Sequence, residues 1–184
     1  VTGAGGGFGE GIAALYVQEG AKVVVADIRE DAAKSVATRL GPNASAFVCD
    51  VANGASVQAL VDYTVKTFGA VNIVVNNAGT THRNKPALQV TEEEFDRVYK
   101  VNVKSLFWAA QSVLPGFVEQ GSGCIVNVAS TTGVRPGPGL SWYSGSKAAM
   151  INITKGLALE FAKSGVRINA VNPMIGETAM LGDF

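Results

Sequence analysis

The stretch Val1-Thr-Gly-Ala-Gly-Gly-Gly-Phe-Gly9 decides how the chain is read. So dense a run of glycine reads as a turn, and the amphipathic pattern over residues 9–19 places a helix directly after it. In a strand–turn–helix unit, glycines let the backbone approach a pyrophosphate closely. The helix N-terminus adds unpaired N–H donors and a partial positive charge. The spacing G-x-G-x-x-G is not met, because counting from Gly3 puts Phe8 at the third glycine position. T-G-x-x-x-G-x-G fits through Gly3, Gly7 and Gly9, and T-G-x-x-G-x-x-G fits through Gly6 and Gly9. The turn alone therefore names no subfamily. Its context argues against a merely flexible linker.

Working outward, short apolar runs recur at residues 22–26, 44–49, 71–75, 124–129 and 166–171. Runs apolar on both faces and rich in β-branched residues suit parallel strands covered by helices. Amphipathic stretches alternate with them at residues 9–19, 29–40, 56–68, 92–118 and 142–163. The alternation predicts a Rossmann-like α/β fold: a doubly wound parallel sheet in a three-layer α/β/α domain with right-handed crossovers. Residues 1–184 read as one dinucleotide-binding domain, with no internal repeat or linker. Thr91 and Glu94 have capping-box spacing and are assigned to a helix start, with no chemistry.

Composition narrows the function. Hydrophobic residues make up 47% of the chain and charged residues 16%, as in a well-buried soluble protein. Fifteen basic side chains balance fifteen acidic ones, so no net field favours nucleic acid or an anionic membrane. No run approaches the length of a membrane span and no signal peptide opens the chain, which points to the cytoplasm. Cys49 and Cys124 sit in apolar runs and read as buried thiols of a reducing compartment. His82 is the only histidine, which leaves little for an imidazole metal site or a Ser-His-Asp hydrolase, and no metal is expected.

Two carboxylates and one tyrosine carry the chemistry. Asp27 closes the run at residues 22–26, about where a dinucleotide fold places a carboxylate for the adenosine ribose hydroxyls. A 2′-phosphate there would meet like charge, and no Lys or Arg in the glycine turn offsets it, although Arg29 is close by. NAD is therefore favoured over NADP. Asp50 and Val51 end the run at residues 44–49, where an adenine edge and a capped helix start are both open readings. Tyr143 and Lys147 are four residues apart at the start of a helical pattern, so they share a face. A fixed ammonium beside a phenol favours the phenolate, and each unit of lowering needs ~1.4 kcal/mol.

With these features in place the sequence resembles the short-chain dehydrogenase/reductase family, in its compact single-domain branch. The matches are the glycine turn, Asp50-Val51, Asn76-Asn-Ala-Gly79, Asn102 in Val-Asn-Val, Ser130, Tyr143-x-x-x-Lys147 and Asn172-Pro173, in the family's order. The resemblance implies hydride transfer between NAD(H) and a secondary alcohol or ketone. Tyr143 would be the acid/base, with Lys147 lowering its pKa and binding the nicotinamide ribose. Ser130 would polarise the substrate oxygen, and Asn102 would hold a water in a proton path to solvent. It also implies cofactor contacts from Gly3, Gly7, Phe8, Gly9, Asp27, Ile28, Asp50 and Val51. Further along, Asn77, Ala78, Gly79, Pro173, Ile175, Gly176 and Thr178 join that set, while Asn76 helps hold the central strands.

Two alternatives stand beside this reading: a 3-oxoacyl-thioester reductase driven by NADPH, which Asp27 argues against, and a dinucleotide-binding sensor or subunit without turnover. The family commonly has Pro-Gly where this chain has Pro173-Met174. Val1 enters the turn with no strand before it, and a substrate-covering segment is expected beyond Thr178, so the chain reads as a piece of a longer protein. His82, Arg83, Arg135 and Trp142 are expected near the cleft in packing or surface roles. Apolar surface on residues 92–118 and on the helix after Tyr143 suggests a homotetramer.

Overall fold

A computed structural model describes residues 1–174, 176 and 181–183. The expected alternation is present: α1 (Gly7–Gln18), β1 (Val23–Asp27), α2 (Glu30–Leu40), β2 (Ala44–Val48), α3 (Gly54–Phe68) and β3 (Ile73–Asn76). There follow α4 (Glu92–Tyr99), α5 (Ser105–Gln120), β4 (Gly123–Val128), α6 (Ser141–Phe161) and β5 (Val166–Val171). Strands β1 and β2 pair in parallel, as do β3, β4 and β5 in that order.

Residues 1–4 join these two groups. Thr2 bridges Ala26 of β1 in parallel, and its N–H donates to the Val75 carbonyl of β3 at 3.0 Å. The Ala4 N–H returns to the Ala26 carbonyl at 3.0 Å. The connected order is thus β2–β1–(1–4)–β3–β4–β5. The winding reverses at residues 1–4, and in open α/β sheets the ligand crevice opens at the strand ends beside such a reversal.

Each layer follows from its side chains. Val23 and Val25 of β1 pack with Ala13 of α1 and with Ala33 and Val36 of α2. Ile125, Val166 and Ile168 pack against Val113, Leu114 and Phe117 of α5, with Leu157 and Phe161 of α6 at the margin. Asn53 begins α3 by accepting from the Ala55 and Ser56 N–H groups, and Gly69 ends it at φ 92°. The capping box at α4 is present: Thr91 Oγ1 accepts from the Glu94 N–H, and the Glu94 carboxylate accepts from the Thr91 N–H.

One element departs from expectation. Residues 92–118 do not form a single helix, because a turn of π-helix at Lys100–Lys104 separates α4 from α5. At its centre Asn102 is fully buried. Its carboxamide accepts from the Thr80 N–H at 2.8 Å and donates to the Thr80 carbonyl and to Ser146 Oγ, both at 2.9 Å. A buried amide with so many partners in neighbouring segments fixes its own position, and the local widening accommodates it. Periodicity cannot show this, since one residue of slip leaves the amphipathic pattern nearly intact.

Among the described residues no helix is long and apolar enough to cross a membrane, and no three His, Cys, Asp or Glu side chains converge as for a metal.

Loop 80–90 is tied to α4 by Lys85, whose Nζ donates to both Glu94 oxygens at 2.8 and 2.7 Å. That bond first, and the Thr91 N–H second, hold the Glu94 carboxyl at about 2 rather than 4.5. Between those values the unfolded chain takes up a proton that the folded chain refuses. The stability Glu94 contributes is complete above about pH 4.5 and is lost as the pH falls towards 2. Urea titrations should therefore show wild type losing more stability than Lys85→Met between pH 4.5 and pH 3. Parallel losses would mean the pair is uncoupled from folding.

Candidate active site

A cavity of about 670 Å³ runs along the strand ends at the winding reversal. Asp27 and Ile28, from the end of β1, line one end together with Asp50 and Val51. Gly3, Gly7 and Phe8 form part of the wall, with Asn77, Ala78 and Gly79 leaving β3 nearby. Ser130, Tyr143 and Lys147 line it too, as do Pro173 and Gly176 beyond β5.

The glycine turn is shaped by close approach. Gly3 has φ 62°, and a Cβ there would lie 2.8 Å from Ala78 Cα. A Cβ on Gly9 would collide with the Gly3 carbonyl and crowd Asn77 Nδ2, so Gly9 seats α1 against the turn instead of lining the cavity. Asn77 Nδ2 donates to the Thr2 and Gly3 carbonyls at 2.9 and 3.0 Å, and Thr2 Oγ1 accepts from the Asn77 and Ala78 N–H groups. Asp27 accepts from the Gly5 N–H at 2.9 Å and from the Arg29 N–H at 3.0 Å, with Arg29 Nε at 3.5 Å. Its carboxylate is thus 7% exposed at the cavity edge, with the cation of Arg29 beside it. The two readings of Asp50 separate here. Asn53 caps α3, while Asp50 Oδ1 accepts from the Ala52 N–H at 2.9 Å and Asp50 faces the cavity.

At the other end, β4 delivers Ser130 and the first turns of α6 deliver Tyr143 and Lys147, all three buried. Ser130 Oγ accepts from the Thr132 N–H at 3.2 Å and from Thr132 Oγ1 at 3.0 Å. With its lone pairs so used, its own proton is the one it has to donate. Lys147 Nζ donates to the Val128 carbonyl at 2.8 Å and lies 5.8 Å from the centroid of the Tyr143 ring. Burial lowers the lysine from 10.5 to about 8. A Cβ on Gly79 would lie 3.4 Å from both Lys147 Nζ and Asn102 Oδ1, so these two atoms lie close to one point. Asn102 itself does not line the cavity.

The phenol departs from the sequence expectation. Burial pushes Tyr143 above its ordinary 10, while a hydrogen bond with Ser130 pulls the other way. Lys147 donates its hydrogen bond to Val128, and desolvation governs the tyrosine.

Asn76 Nδ2 donates to Asn127 Oδ1 at 2.8 Å, holding β3 to β4 as expected, and Asn127 Nδ2 donates to Thr154 Oγ1 at 2.8 Å. Of the loop residues, Trp142 packs edge-on to Phe95 and donates to the Ala87 carbonyl, His82 is buried, and Arg83 pairs with Asp183 at 3.8 Å. None of these three, nor Arg135, lines the cavity. Ile175 and Thr178 lie outside the described residues. Sequence reading missed the supporting side chains Thr2, Thr132 and Ser146. Each is a small hydroxyl whose importance lies in the neighbour it meets across the fold.

The residues present fit a dinucleotide. The crevice joins a carboxylate end to a Ser–Tyr–Lys end past the glycine turn. A family model for short chain dehydrogenase matches residues 1–184. The chain is 64% identical over 187 residues to the 4-formylbenzenesulfonate dehydrogenase of Comamonas testosteroni, covering 100% of this chain and 74% of that protein. An uncharacterised oxidoreductase of Staphylococcus aureus is 39% identical over 185 residues, covering 100% of this chain and 80% of the other. The crystal structure of a 3-ketoacyl-(acyl-carrier-protein) reductase from Brucella melitensis, complexed with NADH, superposes with a TM-score of 0.98. It is 42% identical, and the match covers all of this chain and 77% of that one. On its fold, its crevice and these likenesses, the chain belongs to the short-chain dehydrogenase family.

Proposed function

We propose that this member of the oxidoreductase family interconverts an alcohol with an aldehyde or ketone, using NAD in preference to NADP. The observation that carries the reading is the meeting of Ser130, Tyr143 and Lys147 at one end of a crevice whose other end presents Asp27. A nicotinamide dinucleotide bound there would supply the hydride acceptor, or the donor in the reverse direction. Asp27 would take the adenosine ribose hydroxyls, and the glycine turn would take the pyrophosphate.

The chain's own work is proton transfer and positioning. In oxidation Tyr143 takes the hydroxyl proton as the carbon gives up hydride, and in reduction it returns that proton to the new oxygen. Ser130 donates a hydrogen bond to the same oxygen, its lone pairs being engaged by Thr132. Lys147, held between the Val128 carbonyl and the tyrosine ring, favours the phenolate once the crevice is filled. Asn102, fixed to Thr80 and Ser146 and close to Lys147, would hold the water that links this site to solvent.

Likeness to the 4-formylbenzenesulfonate dehydrogenase favours an aromatic aldehyde or alcohol as substrate. A second reading, reduction of a 3-oxoacyl thioester, is favoured by the Brucella neighbour. Reduced-nicotinamide absorbance, followed with benzyl alcohols, benzaldehydes and acyl thioesters in turn, separates the two. A cytoplasmic homotetramer goes with this reading, and Phe107 of α5 and Leu159 of α6, 51% and 82% exposed, would give its subunits apolar surface to meet on.

Tyr143→Phe should lower turnover by about a hundredfold or more, as for loss of a general acid/base, and leave NADH binding within a few-fold. Near-normal turnover would reject the acid/base assignment. Asp27→Ala should shift the ratio of kcat/KM for NAD over NADP toward NADP by about tenfold, corresponding to ~1.4 kcal/mol. An unchanged ratio in paired kinetics would remove the ribose argument.

A further inference from the structure

Ser130 follows β4 in extended backbone and opens a 3-10 turn over Thr131–Gly133. Its Oγ caps that turn by accepting from the Thr132 N–H at 3.2 Å. Every residue except proline supplies that N–H, so the turn itself does not call for a threonine at 132. What the side chain adds is a second bond to the same atom: Thr132 Oγ1 donates to Ser130 Oγ at 3.0 Å. Thr132 is half-buried and lines the cavity along with Ser130.

A hydroxyl carries one proton and two lone pairs. Thr132 takes both pairs of Ser130, so Ser130 can donate to a phenol and has nothing left with which to accept from one. That polarity matters at Tyr143, with which Ser130 shares a hydrogen bond. A donor to the phenol oxygen favours the phenolate, whereas an acceptor for the phenol proton favours the neutral ring. A hydroxyl that itself receives a hydrogen bond is also the stronger donor, because the members of such a chain polarise one another.

We infer that Thr132 is a positioning residue for the reaction: its hydroxyl takes the second lone pair of Ser130 and so fixes Ser130 as a donor to the Tyr143 phenol and the substrate oxygen. The inference rests on the reading of Ser130, Tyr143 and Lys147 as the acid/base site. Once the Thr132 hydroxyl is removed, Ser130 has a lone pair for the phenol proton, and the tyrosine keeps that proton to higher pH. The other charges around the phenol stay as they are. Lys147 faces the ring from the same helix, its Nζ 5.8 Å from the centroid. From α4, Tyr99 Oη lies 3.0 Å from where a Cβ on Gly145 would sit. Among the described residues lining the cavity, the remaining titratable groups are Asp27, Arg29, Cys49 and Asp50. Lys100 and Lys104 of the π-helical turn and Arg167 of β5 are exposed, and His82 is buried away from the cavity lining.

The test is a pH titration of Tyr143 in the complex with NAD, read as the ultraviolet absorbance of phenolate with the Tyr143→Phe protein as blank. It is paired with kcat and KM for benzyl alcohol. Thr132→Val keeps the shape of the side chain and removes the hydroxyl. It should make Tyr143 hold its proton about tenfold more tightly, seen as an apparent pKa displaced upward. It should also lower kcat about tenfold at neutral pH while KM stays within about twofold. Thr132→Ser should restore both. In a Ser130→Ala background Thr132→Val should have no further effect, since it acts through Ser130. An unchanged Tyr143 titration in Thr132→Val would overturn the inference. So would equal losses in Thr132→Ser and Thr132→Val, or a Thr132→Val effect that persists in full without Ser130. The titration needs no substrate, so it decides even where benzyl alcohol turns over poorly, and Thr132→Ala carries it should Thr132→Val fail to fold. Turnover at the wild-type rate in Tyr143→Phe would instead reject the acid/base reading on which the inference stands.

Discussion

The site depends on a cation held where water is scarce. Lys147 is 4% exposed, and among the described residues it has no carboxylate partner. Its charge is supported by the Val128 carbonyl at 2.8 Å, and burial brings its pKa down to about 8. Removing an ammonium from water costs several kcal/mol unless polar groups replace the solvent. The fold meets that cost with the carbonyl at the end of β4, the packing of α6, and the polar set around Asn102. Below about pH 8 the ammonium persists beside the phenol. The acidity of Tyr143 is therefore a latent property. Burial raises the phenol, and the ammonium beside it is the charge that can lower it.

Buried polar relays hold the frame in which this happens. Asn76, Asn127 and Thr154 form a chain from β3 through β4 to α6, and Thr154 Oγ1 closes it on the Met150 carbonyl at 2.7 Å. Thr2 and Asn77 lock the glycine turn to the end of β3. Asn102 ties the π-helical turn to Thr80 and, through Ser146, to the Tyr143 carbonyl. Satisfied buried networks of this kind set register and orientation, and a missing member leaves a polar atom stranded. The first and third of these relays end within a few residues of Tyr143 or Lys147, so strand register and site geometry are determined together.

The layered fold was legible because strand and helix periods alternate cleanly, and the crevice followed from where the glycine turn meets the strands. The Tyr143–Lys147 pair was legible from its helical spacing, and Asp27 from its place at the end of β1. Other features stayed hidden for identifiable reasons. The π-helical turn at Lys100–Lys104 preserves the apolar pattern around it. Ser130 is readable as a strand-end hydroxyl, but the use of its lone pairs by Thr132 is a matter of three-dimensional direction. Gly9 resembles its neighbours in the turn yet serves packing, which only the proximity of the Gly3 carbonyl reveals. The raised tyrosine pKa was invisible because spacing reports nearness and says nothing about desolvation.

The central claim is that the Lys147 charge tunes the Tyr143 proton once the crevice is filled. The pH dependence of the first turnover, measured as the rapid burst of nicotinamide reduction with an alcohol substrate, tests it most directly. Wild type should show an apparent pKa well below the ordinary phenol value of about 10. Lys147→Met, which keeps a side chain of similar length without the charge, should show a slower burst with that pKa displaced above 10. An identical apparent pKa in the two proteins would contradict the account.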